Sequence, residues 1–286
     1  MPENKSDPEI PNSEITANAP SKSPPVGETL ASLRVRSGIH SAIENKSEIE
    51  NPKSEIKLYQ HIFFDLDHTI WDFDRNAEET LYELYDIYDL SKIGLPSAAL
   101  FIETYTRNNH RLWAEYHTGK ITKNELRETR FKTTFLELGV PPDRLPLAFE
   151  DHYVRLCPTK TNLFPHAHQT LQYLQNKYTL HLITNGFKET SEYKIGNTNI
   201  GSYFKHVIIS EVVGANKPDK AIFEHALTLS GANKNESLMI GDSLEADVYG
   251  ALNFGMDAIY FNPFNAPKPD DVPLQVTHLK ELMDIL

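Results

Sequence analysis

Five short, mainly apolar runs recur after residue 57, each closed by polar or turn-forming residues. They are His61–Phe64 before Asp65, Tyr178–Ile183 before Thr184-Asn185-Gly186, His206–Ile209, Ser237–Ile240 before Gly241-Asp242, and Ala258–Tyr260. Runs of this length bounded by turn residues read as buried parallel strands. The segments between the later runs have helical spacing, with Leu171 and Leu174, then Ile222, Phe223, Ala226 and Leu227, then Ala246, Val248, Ala251 and Leu252. Strands alternating with helices predict an α/β fold, a Rossmann-like parallel sheet with helices on both faces.

The alternation is interrupted once. From about Asn76 to Cys157 the pattern is helical throughout, with Leu81, Leu84, Tyr85 and Tyr88, then Leu100, Phe101, Tyr105, Leu112, Trp113 and Tyr116. Gly119 ends one helix, and Thr122 followed by Glu125 forms a capping box for the next, which carries Leu126, Phe131, Phe135 and Leu138. After Gly139 and Pro141-Pro142 a last helix is expected from about Asp143 to Leu156. Helices joined by short connections predict a small α-helical bundle inserted after the first strand. The expected organisation is a catalytic core at 57–74 and 160–286, with a helical cap at 75–159.

Residues 1–56 differ from the rest. They are rich in Pro, Ser, Asn, Glu and Lys, which cannot bury enough apolar surface to offset ordering, so a disordered tail is expected, with a short amphipathic helix possible over 28–36. A net charge of -12 argues against a nucleic-acid polymer or an anionic membrane as partner. No apolar stretch is long enough to span a bilayer. The single cysteine, Cys157, excludes an intramolecular disulfide, reads as a small buried apolar residue and fits a reducing, cytoplasmic setting. The histidines lack zinc-site spacing; His68, His166, His168 and His181 read as surface or strand residues.

The polar residues at strand ends carry the chemistry. In open α/β sheets ligands bind beyond the carboxyl ends of the strands. Asp65 and Asp67 stand at the first such end, Thr184 and Asn185 at the second, Lys217 beyond the third and Asp242 at the fourth. Each alone has a plain reading, because Asp-x-Asp-x-Thr also fits a strand running into an Asx turn, and Lys-Pro also fits a helix start. Two carboxylates so close repel one another unless a cation intervenes, which argues for a hard, oxygen-seeking ion such as Mg²⁺. Together, in this order, the residues point to one site.

The chain resembles phosphatases of the haloacid dehalogenase superfamily that carry a helical cap. Asp65-Leu66-Asp67-His68-Thr69 is similar to the family's first motif, Thr184-Asn185 to the second, Lys217-Pro218 to the third and Gly241-Asp242-Ser243-Leu244-Glu245-Ala246-Asp247 to the fourth. The resemblance covers about residues 58–286. It implies that Asp65 attacks phosphorus to form an aspartyl-phosphate and that Asp67 acts as general acid, then base. It further implies that Mg²⁺ is held by Asp65, the Asp67 backbone carbonyl and Asp242, with Asp247 orienting bound water. Thr184, Asn185 and Lys217 would then bind the phosphoryl group. Asp67 separates this reading from the true dehalogenases, which lack an acid–base aspartate there.

The substrate is set by the cap and the turn after the first motif. The run Asp65 to Arg75 and the cap segment around Trp113, Tyr116, Gly119 and Arg130-Phe131 resemble pyrimidine 5′-nucleotidases acting on normal and modified nucleotides. A small phosphorylated metabolite, a pyrimidine nucleoside 5′-monophosphate, is therefore the expected substrate. Trp71, Phe73 and Phe187 are the candidate pocket aromatics, whereas Trp113 reads as cap core. One departure stands in the helix after the second motif, where Ser191-Glu192-Tyr193-Lys194 replaces a pattern that often holds glutamine. A broader sugar-phosphate phosphatase, a phosphomutase and a non-catalytic interaction protein are the alternatives.

Overall fold

β1 (His61–Phe64) occupies the middle of the sheet in the computed structural model, which describes residues 59–95 and 97–286. It lies between β2 (Thr179–Thr184) and β4 (Ser237–Gly241), with β3 at His206–Ile209, β5 at Asp257–Phe261 and β6 at Gln275–Val276. All neighbours pair in parallel, in the order β3-β2-β1-β4-β5-β6. His61 is level with Thr179 on one side and Ser237 on the other, so the carboxyl ends of the central strands share one edge. The expected tail at 1–56 and its short helix lie outside the described residues.

Strand periodicity divides the core into two layers. Ile62, Phe64, Leu180, Leu182, Leu238 and Ile240 face one side, covered by α5 (Ala167–Leu174) and α10 (Leu282–Ile285). Phe63, Ile183, Ile208, Met239, Ala258 and Tyr260 face the other, covered by α8 (Lys220–Ser230) and α9 (Gly250–Phe254). Because both faces are covered, the strands read as apolar runs rather than alternating ones. α6 (Lys188–Asn197) follows β2, and the short α7 (Ser210–Val213) follows β3.

Between β1 and α5 come α1 (Phe73–Ile87), α2 (Ala98–His117), α3 (Lys123–Glu137) and α4 (Phe149–Leu156). Their interior is aromatic: Phe101 stacks on Phe135 at 5.3 Å, Tyr105 on Phe131 at 4.7 Å, and Phe149 meets Phe131 edge-on at 4.8 Å. The buried Arg130 donates to both oxygens of Glu150 at 2.8 and 2.7 Å and lies over the Tyr153 ring, tying α3 to α4. The capping box of Thr122 and Glu125 forms as its spacing predicts. Where the chain leaves and regains the sheet, the two passages are fastened together. Asn76 Nδ2 donates to the Asn162 carbonyl at 2.8 Å, while its Oδ1 accepts from the Asn162 side chain at 2.7 Å.

Local chemistry moves several boundaries. α4 begins at Phe149 rather than near Asp143, because Pro142 opens only a single tight turn through Arg144 and Pro146 has no N–H to continue it. α1 begins at Phe73, ahead of Asn76, since Asp72 caps it by accepting from the Arg75 N–H at 3.2 Å. The helix after Asp242 opens as a wide π-turn, Leu244–Tyr249, in which the Val248 N–H reaches the Ser243 carbonyl at 3.1 Å. β6 and α10 give no periodic signal, being two and four residues long.

Candidate active site

Asp65 extends β1 by one step, its N–H donating to the Ile240 carbonyl at 2.9 Å, and this aims its buried carboxylate over the sheet edge. Lys217 reaches the same point from the β3–α8 connection. Its Nζ lies 2.6 Å from Asp65 Oδ1, 2.7 Å from Asp247 Oδ1 and 2.7 Å from the Ile183 carbonyl. Burial works against the Lys217 ammonium, but Asp247 and Asp65 hold its pKa above the ordinary lysine value. The Asn185 side chain steadies the lysine backbone, accepting from its N–H at 2.7 Å and donating to its carbonyl at 2.8 Å.

Thr69 joins the first motif to the fourth: its hydroxyl donates to Asp242 Oδ1 and accepts from the Asp242 N–H, both at 3.1 Å. Asp247, one turn beyond Asp242, accepts from the Ser243 N–H at 3.0 Å. Its carboxylate rests on the Cα of Gly241, where an added Cβ would stand 2.2 Å from Asp247 Oδ2. Only glycine leaves that space. Asp65, Asp242 and Asp247 present carboxylate oxygens within 4.8 Å of one another.

One ammonium faces three carboxylates in this cluster. Burial raises the Asp65 pKa well above the carboxylate range despite Lys217, and burial together with Asp247 pushes Asp242 up to about 8. Carboxyl groups that resist ionising beside one another, with oxygen donors alone, fit a hard divalent cation such as Mg²⁺ in place of their protons. Asp65 and Asp242 offer oxygen donors that could hold such an ion. Asp67 can contribute through its backbone carbonyl, because Lys194 Nζ grips both of its carboxylate oxygens at 2.7 and 2.8 Å.

Lys194, which the sequence marks only as part of a departure from the family pattern, reaches the site through Asp67. It stands on α6 at the departure from the family pattern, is buried, and its ammonium lies 4.3 Å from the Trp71 ring centre and 5.4 Å from that of Phe73. The substrate-pocket expectations need correction in the same place. Trp71 is fully buried beneath Lys194, donating to the Lys160 carbonyl at 3.2 Å, and it lines no cleft. Phe187 is also buried and serves as the backing of another ring. That ring is Trp113, which stacks on it at 5.2 Å and lines the cleft rather than the cap core.

The cleft, a cavity of about 150 Å³, is floored by Asp65, Asp67, Thr184, Asn185, Lys217 and Asp242. Phe73, His68 and four residues of α2, Asn109, His110, Trp113 and His117, stand in its wall. His68 takes a left-handed backbone conformation (φ 64°) and turns toward the cleft beside Phe73, so it is not a solvent-facing loop residue. His181 is a strand residue, as expected, with no exposure in β2, and Cys157 is buried as expected. Burial, then the nearby Lys217 charge, lowers the His117 pKa to about 4, so that imidazole is neutral.

No described helix is long and apolar enough to cross a membrane. The sequence profile of haloacid dehalogenase-like hydrolases matches residues 59–255. The pyrimidine 5′-nucleotidase PynA of Streptococcus pneumoniae is 33% identical over 208 residues, covering 72% of this chain and 85% of its own. The pyrimidine 5′-nucleotidase YjjG of Escherichia coli is 30% identical over 218 residues, covering 74% of this chain and 95% of its own. The magnesium-bound structure of the HAD-hydrolase YfnB from Bacillus subtilis superposes with a TM-score of 0.71 at 28% identity, covering 80% of this chain and 99% of that one. Four sequence motifs brought to one sheet edge, a capped parallel fold and relatives along most of the chain lead to one assignment: this protein belongs to the haloacid dehalogenase-like hydrolases and is a phosphomonoester hydrolase of that superfamily.

Proposed function

We propose that the chain is a Mg²⁺-dependent pyrimidine nucleoside 5′-monophosphatase working through an aspartyl-phosphate. The observation that carries the nucleotide part is the stacked Trp113–Phe187 pair, which gives the cleft a flat apolar wall above the buried carboxylates. The nucleotidase relatives support the same reading.

In the first step a carboxylate oxygen of Asp65 attacks phosphorus and the bond to the ester oxygen breaks. The Asp67 carboxyl group gives its proton to that leaving oxygen, so nucleoside departs neutral. In the second step Asp67 takes a proton from water as it attacks phosphorus, the acyl–phosphate bond breaks, and inorganic phosphate leaves with Asp65 restored. Lys217 lowers the negative potential around Asp65 and the transferring oxygens, and Thr184 with the Asn185 N–H supplies hydrogen-bond donors to them. Asp65, Asp242 and the Asp67 carbonyl would hold Mg²⁺, which would supply charge neutralisation for the phosphoryl group. Asp247 holds Lys217 through its 2.7 Å ion pair and would orient the cation's water.

The test is phosphate release from nucleotides and sugar phosphates, with and without Mg²⁺, by wild type and Asp65→Asn. The expected result is Mg²⁺-dependent turnover led by UMP, dUMP or dTMP and abolished in the variant. Turnover spread evenly over sugar phosphates would overturn the nucleotide part. Transfer without phosphate release would replace hydrolysis by a mutase reaction.

A further inference from the structure

The cleft wall carries a polar group that the reaction does not use. Asn109 is 2% exposed, lines the cleft, and its Oδ1 has no hydrogen-bond partner among the described residues. Its neighbour shows what a structural asparagine does on this helix: Asn108 donates to Thr134 Oγ1 at 3.3 Å and to Glu137 Oε2 at 3.0 Å. A buried carbonyl oxygen is rarely left unmatched, and on a residue that lines a ligand cleft a bound molecule can supply the missing partner.

Its place on α2 says which part of a ligand it meets. Asn109, Trp113 and His117 are spaced four residues apart, so they lie on one face of the helix and form one strip of the wall. His117 marks the phosphoryl end, inside the field of the Lys217 charge. Asn109 is eight residues back, about 12 Å along the helix axis, at the other end of the strip. Trp113 stands between them with its flat face backed by Phe187.

Resting on the nucleotidase reading above, we infer that Asn109 recognises the hydrogen-bonding edge of a pyrimidine base. A carboxamide holds an acceptor and a donor side by side. Its Oδ1 accepts from uracil N3–H while its Nδ2 donates to uracil O4. Rotated half a turn, the same group donates to cytosine N3 and accepts from its amino group. The pairing serves both bases and depends on the N3 position being free. A sugar phosphate without a base gains nothing from it.

The experiment compares kcat/KM for UMP, 3-methyl-UMP and ribose 5-phosphate in wild type and Asn109→Leu. Wild type should favour UMP over 3-methyl-UMP by at least about tenfold, as expected for a bidentate base contact, and the variant should bring that ratio close to one. A wild-type ratio near one, or a ratio that survives in Asn109→Leu, overturns the inference. If Asn109→Leu does not fold, Asn109→Ser must show the same collapse of the ratio. Should wild type turn over ribose 5-phosphate as well as UMP, the nucleotidase reading itself falls. A preference for UMP over ribose 5-phosphate with indifference to the N3 methyl group sinks only the role of Asn109.

Discussion

Lys194 and Asp67 show how one side chain can govern another's chemistry. A carboxylate gripped through both oxygens is fixed in place, and the aromatic rings of Trp71 and Phe73 hold the ammonium from behind. Lys194→Met keeps the apolar stem over Trp71 and removes the anchor. The expected outcome is a fall in kcat of at least about tenfold with KM changed less, since proton transfer rather than binding loses its geometry. Steady-state kinetics, with a thermal melt as control, checks this. An equal loss in a substrate whose leaving group needs no protonation would argue against it. At this scale the sequence reveals residues whose position follows from their own strand. Asp65, Thr184 and Asp242 are found because strand ends are local features. Asn109 and His117 are missed, and Lys194 is marked only as part of a departure from the family pattern, because their surroundings are set by where whole helices dock. Trp71 and Trp113 exchange their expected places for the same reason: periodicity marks an aromatic residue as inward-facing but does not say whether the inside is core or cleft.

Among the elements, the middle of the sheet contains an unusual set of rings. His61 on β1, His181 on β2 and His206 on β3 lie side by side; His61 and His181 share a hydrogen bond at 3.1 Å and His181 stacks on His206 with centroids 5.5 Å apart. Burial, with His61, His206 and Lys205 alongside, pulls the His181 pKa down to about 3. The unfolded chain binds a proton at this residue below about pH 6.5, whereas the folded chain refuses it until near pH 3. His181 therefore adds nothing to the pH dependence above neutrality and destabilises the fold progressively as pH drops through that window. Between pH 6.5 and 5 the loss is about 2 kcal/mol. Urea denaturation of wild type and His181→Leu at pH 7.5 and pH 5 measures it, and the variant should show the smaller drop. Elements of ten or more residues, such as α2, α3 and α8, follow their apolar spacing closely. Short ones do not, because two residues of β6 contain no period to read.

Across the whole molecule, one lysine fastens the helical insertion to the sheet layer. Lys123, at the start of α3, reaches Glu189 on α6 at 3.0 Å and Glu211 on α7 at 2.7 Å, and its ammonium lies 4.3 Å over Phe187. These are partly exposed pairs, so each is worth little alone and is screened by salt. Their effect falls on the cleft wall they border. Lys123→Gln should raise KM for a nucleotide substrate about two- to fivefold at low ionic strength and remove most of its salt dependence, while kcat changes less. Kinetics at two salt concentrations decides it, and a KM that ignores both the substitution and the salt would dismiss the fastening. The parallel fold and the inserted bundle are apparent from the order of strand and helix patterns. This fastening is not, since it joins residues 66 and 88 positions apart.

The insertion after β1 also sets a schedule for biosynthesis. Ile62 at the centre of the sheet pairs with Leu180 and with Leu238, so the first of the described strands to be made waits for β2, beyond the whole inserted bundle, and then for β4. The Asp65–Lys217 contact closes a loop of 152 residues. Contacts this distant form slowly, whereas α2 and α3 find one another within a few tens of residues. Among the described residues the aromatic bundle is thus the natural first structure, and the Asp65 carboxylate stays without its Lys217 partner until the chain has been made well into its last third.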